Sequence, residues 1–223
     1  MRTLLSVALG LIAAASAGRA QTVEETIDRA VASWKGVRTL RATFEQTIVN
    51  PITGSSMTAR GALQQRKPDQ LAIAFSEPSG DRIVADGRFV WVFLQSATPG
   101  QVLKMSNADA GAANTDLIGQ FLDAPRAKYD ITDAGTDTIA GRRTRVLVLI
   151  AKPGQALPFI RAKVWIDPED AMIRQFESTE STGFSRKVRL LTVAPNAAVD
   201  SSAFVFRAPA GVRVVEPMRP PRS

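Results

Sequence analysis

Along most of the chain apolar and polar residues alternate with period two, and turn residues interrupt the alternation at short intervals. In Leu40-Arg41-Ala42-Thr43-Phe44-Glu45-Gln46-Thr47-Ile48 the apolar side chains fall mainly on even positions, which predicts a strand with one wet face. Pro51 to Ser55 separates this run from Met57–Gln65, Lys67-Pro68-Asp69 separates that from Gln70–Phe75, and Glu77-Pro78-Ser79-Gly80 precedes Arg82–Ala85. Asp86-Gly87 is a hairpin signal leading to Arg88–Leu94. Further strand-like runs are Val102–Met105, Lys128–Thr132, Arg142–Ile150, Ile160–Asp167, Met172–Glu177, Arg186–Thr192 and Phe204–Arg207. About ten or eleven strands joined by short turns make a large antiparallel sheet, so the fold class is mainly β with a few helices.

Two segments carry the helical period instead. Thr22 with Glu25 forms a capping-box pattern, Val23, Ile27, Ala30, Val31 and Trp34 follow on one stripe, and Gly36 ends the helix. Thr115 to Leu122 places Leu117, Ile118, Phe121 and Leu122 on one face, with Asp123-Ala124-Pro125 as a stop, and predicts a short apolar helix inside the β protein.

A sheet of this length tends to curl or close, since strand twist accumulates and open edges invite pairing. With about ten strands the interior is wider than side chains readily fill, so it is either plugged or holds a ligand, and the two helices are candidates for the plug. A second reading stands beside this one: alternating strands covered by two helices also describe a plainly packed core. Phe89, Trp91 and Phe93 on one side of a strand and Val90, Val92 and Leu94 on the other imply that both faces are buried, without saying by what.

Composition removes much chemistry. The 223 residues include no Cys and no His, which excludes disulfides, thiol nucleophiles, Cys/His zinc sites and Ser-His-Asp triads. The first twenty residues read as a secretory leader: Met1-Arg2, an uncharged apolar stretch from Leu4 to Ala15, and Gly18-Arg19-Ala20 before a cleavage expected ahead of Gln21. The apolar stretch is shorter than the roughly 20 residues a membrane span needs. The expected layout is therefore a leader over 1–20, one domain over 21–216 and a poorly ordered tail over 217–223, with the mature protein free in an exported compartment. The chain has 28 basic and 21 acidic residues, two of the basic ones in the leader, so the mature protein is left at about +5. That charge is scattered rather than arranged as a basic stripe with interleaved aromatics, and no nucleic-acid surface is expected. Paired acids that would support an enzyme, Asp81 with Asp86 and Asp167 with Glu169 and Asp170, lie in predicted turns, where turn chemistry accounts for them; no P-loop pattern occurs, and no catalytic residue, metal or cofactor is expected.

An ordered series of short motifs carries a family resemblance. Phe44-Glu45-Gln46, Gly61-Ala62-Leu63, Arg66-Lys67-Pro68, Phe75 with Glu77-Pro78, Ile83-Val84-Ala85-Asp86-Gly87 and Val90-Trp91 resemble the periplasmic outer-membrane lipoprotein carriers of the LolA family. Leu117-Ile118, Gln175-Phe176, Ala203-Phe204-Val205-Phe206 and Pro209-Ala210-Gly211-Val212 extend the likeness over most of the mature chain. The resemblance implies a half-open antiparallel β-barrel of about eleven strands, closed by short helices, whose hydrophobic cavity takes the acyl chains of lipoproteins. It implies passage of cargo from an inner-membrane ABC transporter to an outer-membrane acceptor by a monomeric carrier that makes and breaks no bonds. The lack of Cys fits the soluble carrier rather than the lipid-anchored acceptor. The cavity lining expected on this basis is Leu40, Ala42, Phe44, Ile48, Leu63, Leu71, Ile73, Phe75, Trp91 and Phe93, and the lid is Leu117, Ile118, Phe121 and Leu122. The family's arginine before the proline is implied to tether the lid; here Lys67 holds that place and Arg66 precedes it, so either is a candidate, and a solvated basic doublet is the alternative. A barrel of the same kind serving a lipid other than lipoprotein is the competing functional reading.

Overall fold

A computed structural model describes residues 22–110, 115–155 and 157–217; the predicted leader and the tail beyond Pro217 lie outside the described residues. The first helix, α1 (Val23–Lys35), forms as its sequence predicts. The Thr22 hydroxyl accepts from the Glu25 N–H at 3.1 Å while the Glu25 carboxylate accepts from the Thr22 N–H at 2.9 Å, closing the capping box. Ile27, Ala30 and Trp34 bury the apolar stripe.

Twelve strands follow: β1 (Thr39–Val49), β2 (Ser56–Arg66), β3 (Gln70–Glu77), β4 (Arg82–Asp86), β5 (Phe89–Phe93), β6 (Gln101–Ser106), β7 (Tyr129–Ile139), β8 (Arg142–Ala151), β9 (Arg161–Ile166), β10 (Ile173–Thr179), β11 (Ser185–Pro195) and β12 (Arg213–Val215). They make one sheet in the order β12-β6-β5-β4-β3-β2-β1-β11-β10-β9-β8-β7. The sheet stays open, with β12 and β7 at its two edges, consistent with the half-open barrel that the family resemblance implies. Every neighbouring pair is antiparallel except β12 beside β6.

Alternation gives the sheet one inner face. Leu40, Ala42 and Phe44 of β1, Leu63 of β2, Leu71 and Ile73 of β3, Leu147 and Leu149 of β8, Val164 of β9 and Val188 and Leu190 of β11 belong to a single buried cluster with Ile27 and Trp34 of α1. Phe44 stands in register with Gly61, and Gly61 with Phe75. With no side chain between them, the two rings meet edge to face with centroids 5.7 Å apart. A Cβ on Gly61 would collide with the Ala74 carbonyl oxygen, so this close approach requires glycine.

Two sequence expectations are corrected. The helix expected over Thr115–Leu122 is reduced to one turn, α3 (Gly119–Leu122), next to two other single turns, α2 (Asn107–Ala110) and α4 (Pro125–Lys128). Asp116 uses its carboxylate to accept from the Gly119 N–H at 2.8 Å, a local bond that competes with helical pairing, and Ala124 in the left-handed region turns the chain into Pro125. The strand expected at Phe204–Arg207 is absent: Asp200 caps a 3-10 turn over Ser201–Phe204, and the chain then runs extended outside the ladder. The last strand instead forms later, at β12, as an edge partner of β6.

Candidate functional site: the inner face and its lid

The segment around α3 lies on the inner face and fills it. Phe121 is fully buried, with its ring centroid 5.2 Å from that of Phe159 and 4.9 Å from that of Phe176. Ile118 and Leu122 are buried in the same cluster, and Leu117 packs against it while partly exposed. Tyr129 stacks on Phe159 and donates its hydroxyl to the Gln120 carbonyl at 3.0 Å. Burial, assisted by the Asp123 carboxylate, pushes that phenol up to about 12, which keeps it a donor at any ordinary pH.

Between this lid, the end of α1 and the segment around Leu157–Phe159 lies a cavity of about 1270 Å³. It exceeds the roughly 300–1,000 Å³ of ordinary small-molecule pockets. Val31 and Trp34 of α1, Leu122 of the lid, Phe159 and Phe176 supply its apolar wall, and Arg186 stands where it meets solvent.

The predicted lining residues separate into three groups. Leu40, Ala42, Phe44, Leu63, Leu71 and Ile73 are buried on the inner face and Phe75 packs against them, but α1 and the lid cover this floor, so none of them lines the cavity as it stands. Ile48 continues the same face toward the strand end, half-buried, between Met57 of β2 and Arg186 of β11. Trp91 and Phe93 are corrected. The inner-facing residues of β5 are Val90 and Val92, whereas Trp91 and Phe93 lie on the outer face, where Phe206 covers them at centroid distances of 5.4 Å and 5.6 Å. The Trp91 indole N–H donates to Asp86 at 2.9 Å, and Lys104 sits over the Phe89 ring beside it.

The basic doublet also divides between faces. Lys67 Nζ donates to the Trp34 carbonyl at 2.6 Å and lies 4.0 Å from the Trp34 ring centroid. Desolvation depresses its pKa, with the Asp116 carboxylate opposing the shift. Asp116 in turn accepts from the Trp34 indole N–H at 3.3 Å, so Lys67 reaches the lid through Trp34 and Asp116 rather than through lid carbonyls. Arg66 points outward, donating to Gln70 at 2.6 Å and to Ser201 at 3.0 Å and lying over the Phe204 ring; it holds the C-terminal segment and not the lid. Sequence reasoning missed the roles of Trp34, Asp116, Tyr129, Phe159 and Arg186; only Trp34, the last member of the α1 stripe, carried a signal.

The acidic pairs are occupied elsewhere. Asp81 is buried and bonded to the Ser96 backbone N–H and hydroxyl, and Asp86 caps its hairpin by accepting from the Arg88 and Phe89 N–H groups. Asp167, Glu169 and Asp170 form an ion cluster with Arg142 and Arg174.

Among solved structures, an uncharacterized conserved protein from Thermus thermophilus aligns with a TM-score of 0.53 at 12% identity, covering 87% of this chain and 98% of that one. MucB aligns with a TM-score of 0.52 at 15% identity, over 86% of this chain and 64% of its own. At these identities the likeness concerns the fold. Among relatives by sequence, the outer-membrane lipoprotein carrier protein of Chromobacterium violaceum is 26% identical over 216 residues, 96% of each chain, and that of Leptothrix cholodnii is 27% identical over 183 residues, 82% of this chain and 81% of its own. The model of the outer membrane lipoprotein carrier protein LolA matches residues 35–207, and with that match, the open twelve-stranded sheet and the lidded inner face, the chain belongs to the LolA family.

Proposed function

We propose that the protein is a periplasmic carrier that takes the acyl chains of lipoproteins onto its inner face, accepting them from an inner-membrane ABC transporter and passing them to an outer-membrane acceptor. The observation that carries this reading is that the apolar inner face is filled by the protein's own lid, through Ile118, Phe121 and Leu122. An acyl chain entering the face displaces these side chains. Burying about ten methylenes contributes roughly 8 kcal/mol. Removing three large apolar side chains from the core costs about 1.5–3 kcal/mol each and offsets most of that. A near-balanced exchange leaves cargo transferable without an energy source on the carrier itself.

The test is displacement of a fluorescent acyl probe by a triacylated lipopeptide and by the same peptide without acyl chains, with mass spectrometry of material copurifying in the absence of detergent. Displacement by the acylated peptide alone supports the reading. A probe that does not bind, or that both peptides displace equally, overturns it.

A further inference from the structure

Arg186 is a cation on the inner face, at the exposed mouth of the cavity. On β11 the side chains of Val188 and Leu190 enter the core, so period two turns Arg186 toward the inner face and Lys187 away from it. Its neighbours across the ladder are Ile48 on β1 and Ser178 on β10, and it lines the cavity with Phe176, Ser178 and Glu180. Two other cations of that wall are engaged, Lys67 with the Trp34 carbonyl and Lys128 with Asp123 at 2.5 Å, whereas Lys35 stands exposed at the end of α1 and away from the β11 ladder. Arg186 makes no hydrogen bond or ion pair with the described residues, and Glu180 acts on it only from longer range. Nearby protein partly desolvates the guanidinium and depresses its pKa, while the residue stays exposed at the mouth of the cavity. A cation partly desolvated without a partner is unfavourable, and an uncharged acyl chain offers nothing to offset it. A guanidinium does offer a planar fork matched to a carboxylate or phosphate.

We propose that Arg186 is a head-group anchor: the cavity takes an amphiphile whose anionic group, a carboxylate or phosphate, docks on Arg186 while its acyl chain runs inward past Phe176 toward the lid. The proposal rests on the reading of the inner face as an acyl site and names the charge of the ligand that fits it.

The experiment compares laurate, dodecyl phosphate and dodecanol, which share one chain length, as competitors of a fluorescent acyl probe on the mature chain from Gln21, its Arg186→Met variant and its Lys187→Met variant. Lys187→Met removes the same charge from the opposite face of the same strand and controls for general attraction to a basic protein. The expected result is that one or both anions bind about tenfold more tightly than dodecanol to the parent protein. Arg186→Met abolishes that preference, bringing the anions to the affinity of dodecanol, and Lys187→Met retains it; the preferred anion distinguishes a carboxylate from a phosphate head. Equal affinity for the three compounds, or a preference that survives Arg186→Met, overturns the anchor and leaves the acyl site standing. Failure of dodecanol and the probe to bind at all overturns both.

Discussion

Lys67 grips the end of α1 at Trp34, with Nζ on the carbonyl oxygen and the ammonium over the indole ring. The Trp34 carbonyl also accepts from the Val37 N–H at 3.1 Å, so Lys67 adds a second donor there; a cation at a helix C-terminus is favoured by the helix dipole, and the ring adds a cation–π contact. Lys67→Met is expected to cost about 1 kcal/mol, because the group is only half-buried, lowering Tm by about 2–4 °C. Hydrogen exchange should rise in residues 115–122, which Trp34 holds through Asp116. Arg66→Met should loosen 201–207 instead and leave the lid protected, since Arg66 faces Phe204 and Ser201. Equal exchange effects in the lid from both variants would refute the division of the doublet.

Gly119 and Asp116 form a second unit. A Cβ at position 119 would overlap the Asp116 carboxylate, which is held by the Gly119 N–H and the Trp34 indole. Gly119→Ala therefore forces that carboxylate away and loses both bonds, at about 1–2 kcal/mol. Asp116→Ala loses the same bonds directly. The double variant should cost little more than either single one, a clear departure from additivity by denaturant unfolding. Additive costs would show that the two residues act independently.

Phe206 covers Trp91 and Phe93 on the outer face, whereas Phe44 and Phe75 meet on the inner one. Phe206→Ala should cost about 2 kcal/mol of stability and leave acyl-probe affinity unchanged; Phe44→Ala should cost about 3 kcal/mol and change that affinity. A loss of probe binding in Phe206→Ala would return Trp91 and Phe93 to the cavity.

These two faces also show what was legible in the sequence. On β1 polar residues alternate with Leu40, Ala42 and Phe44, so periodicity names the buried face, although it does not say that α1 and the segment around α3 cover that face. On β5 every residue from Phe89 to Phe93 is apolar, so the period carries no direction, and the covering ring at Phe206 arrives more than a hundred residues later in an unpaired segment. The apolar spacing over 115–122 named side chains that pack on the inner face, but not the single helical turn, because the Asp116–Gly119 bond depends on local backbone geometry that spacing does not encode. Arg186 sat on an inner-facing position of β11, yet a basic run, Arg186-Lys187-Val188-Arg189, reads as a wet surface until the cavity beside it is seen.

Asp167 is almost fully buried, and it accepts from Arg142, from the Glu169 N–H at 2.9 Å and from Arg174 at 3.1 Å. Burial alone would raise its carboxyl pKa, but these donors together outweigh burial and hold it below the usual value. A depressed folded pKa means the stabilisation is fully present above the unfolded value of about 3.9 and is lost as pH falls through the folded value. Asp167→Asn should cost about 2–3 kcal/mol at pH 7, with Arg174 left short of one partner, and the gap from the parent protein should close below about pH 4. Urea unfolding at neutral and acid pH measures this; a gap of the same size at both would assign the loss to packing instead of charge.

Phe121 competes for the space proposed for cargo. Its ring is wholly buried between Phe159 and Phe176, so Phe121→Ala should destabilise the ligand-free protein by about 3 kcal/mol and leave a void on the inner face. An acyl chain entering the variant no longer has to expel that ring. Probe affinity should therefore rise, by about tenfold if half of the lost packing is recovered as binding. Calorimetry of the variant with and without the probe reads both effects, and the probe should restore more of its Tm than it adds to the parent protein's. If stability falls while affinity is unchanged, Phe121 is a core residue that cargo never meets, and the exchange of lid for acyl chain is wrong at this position.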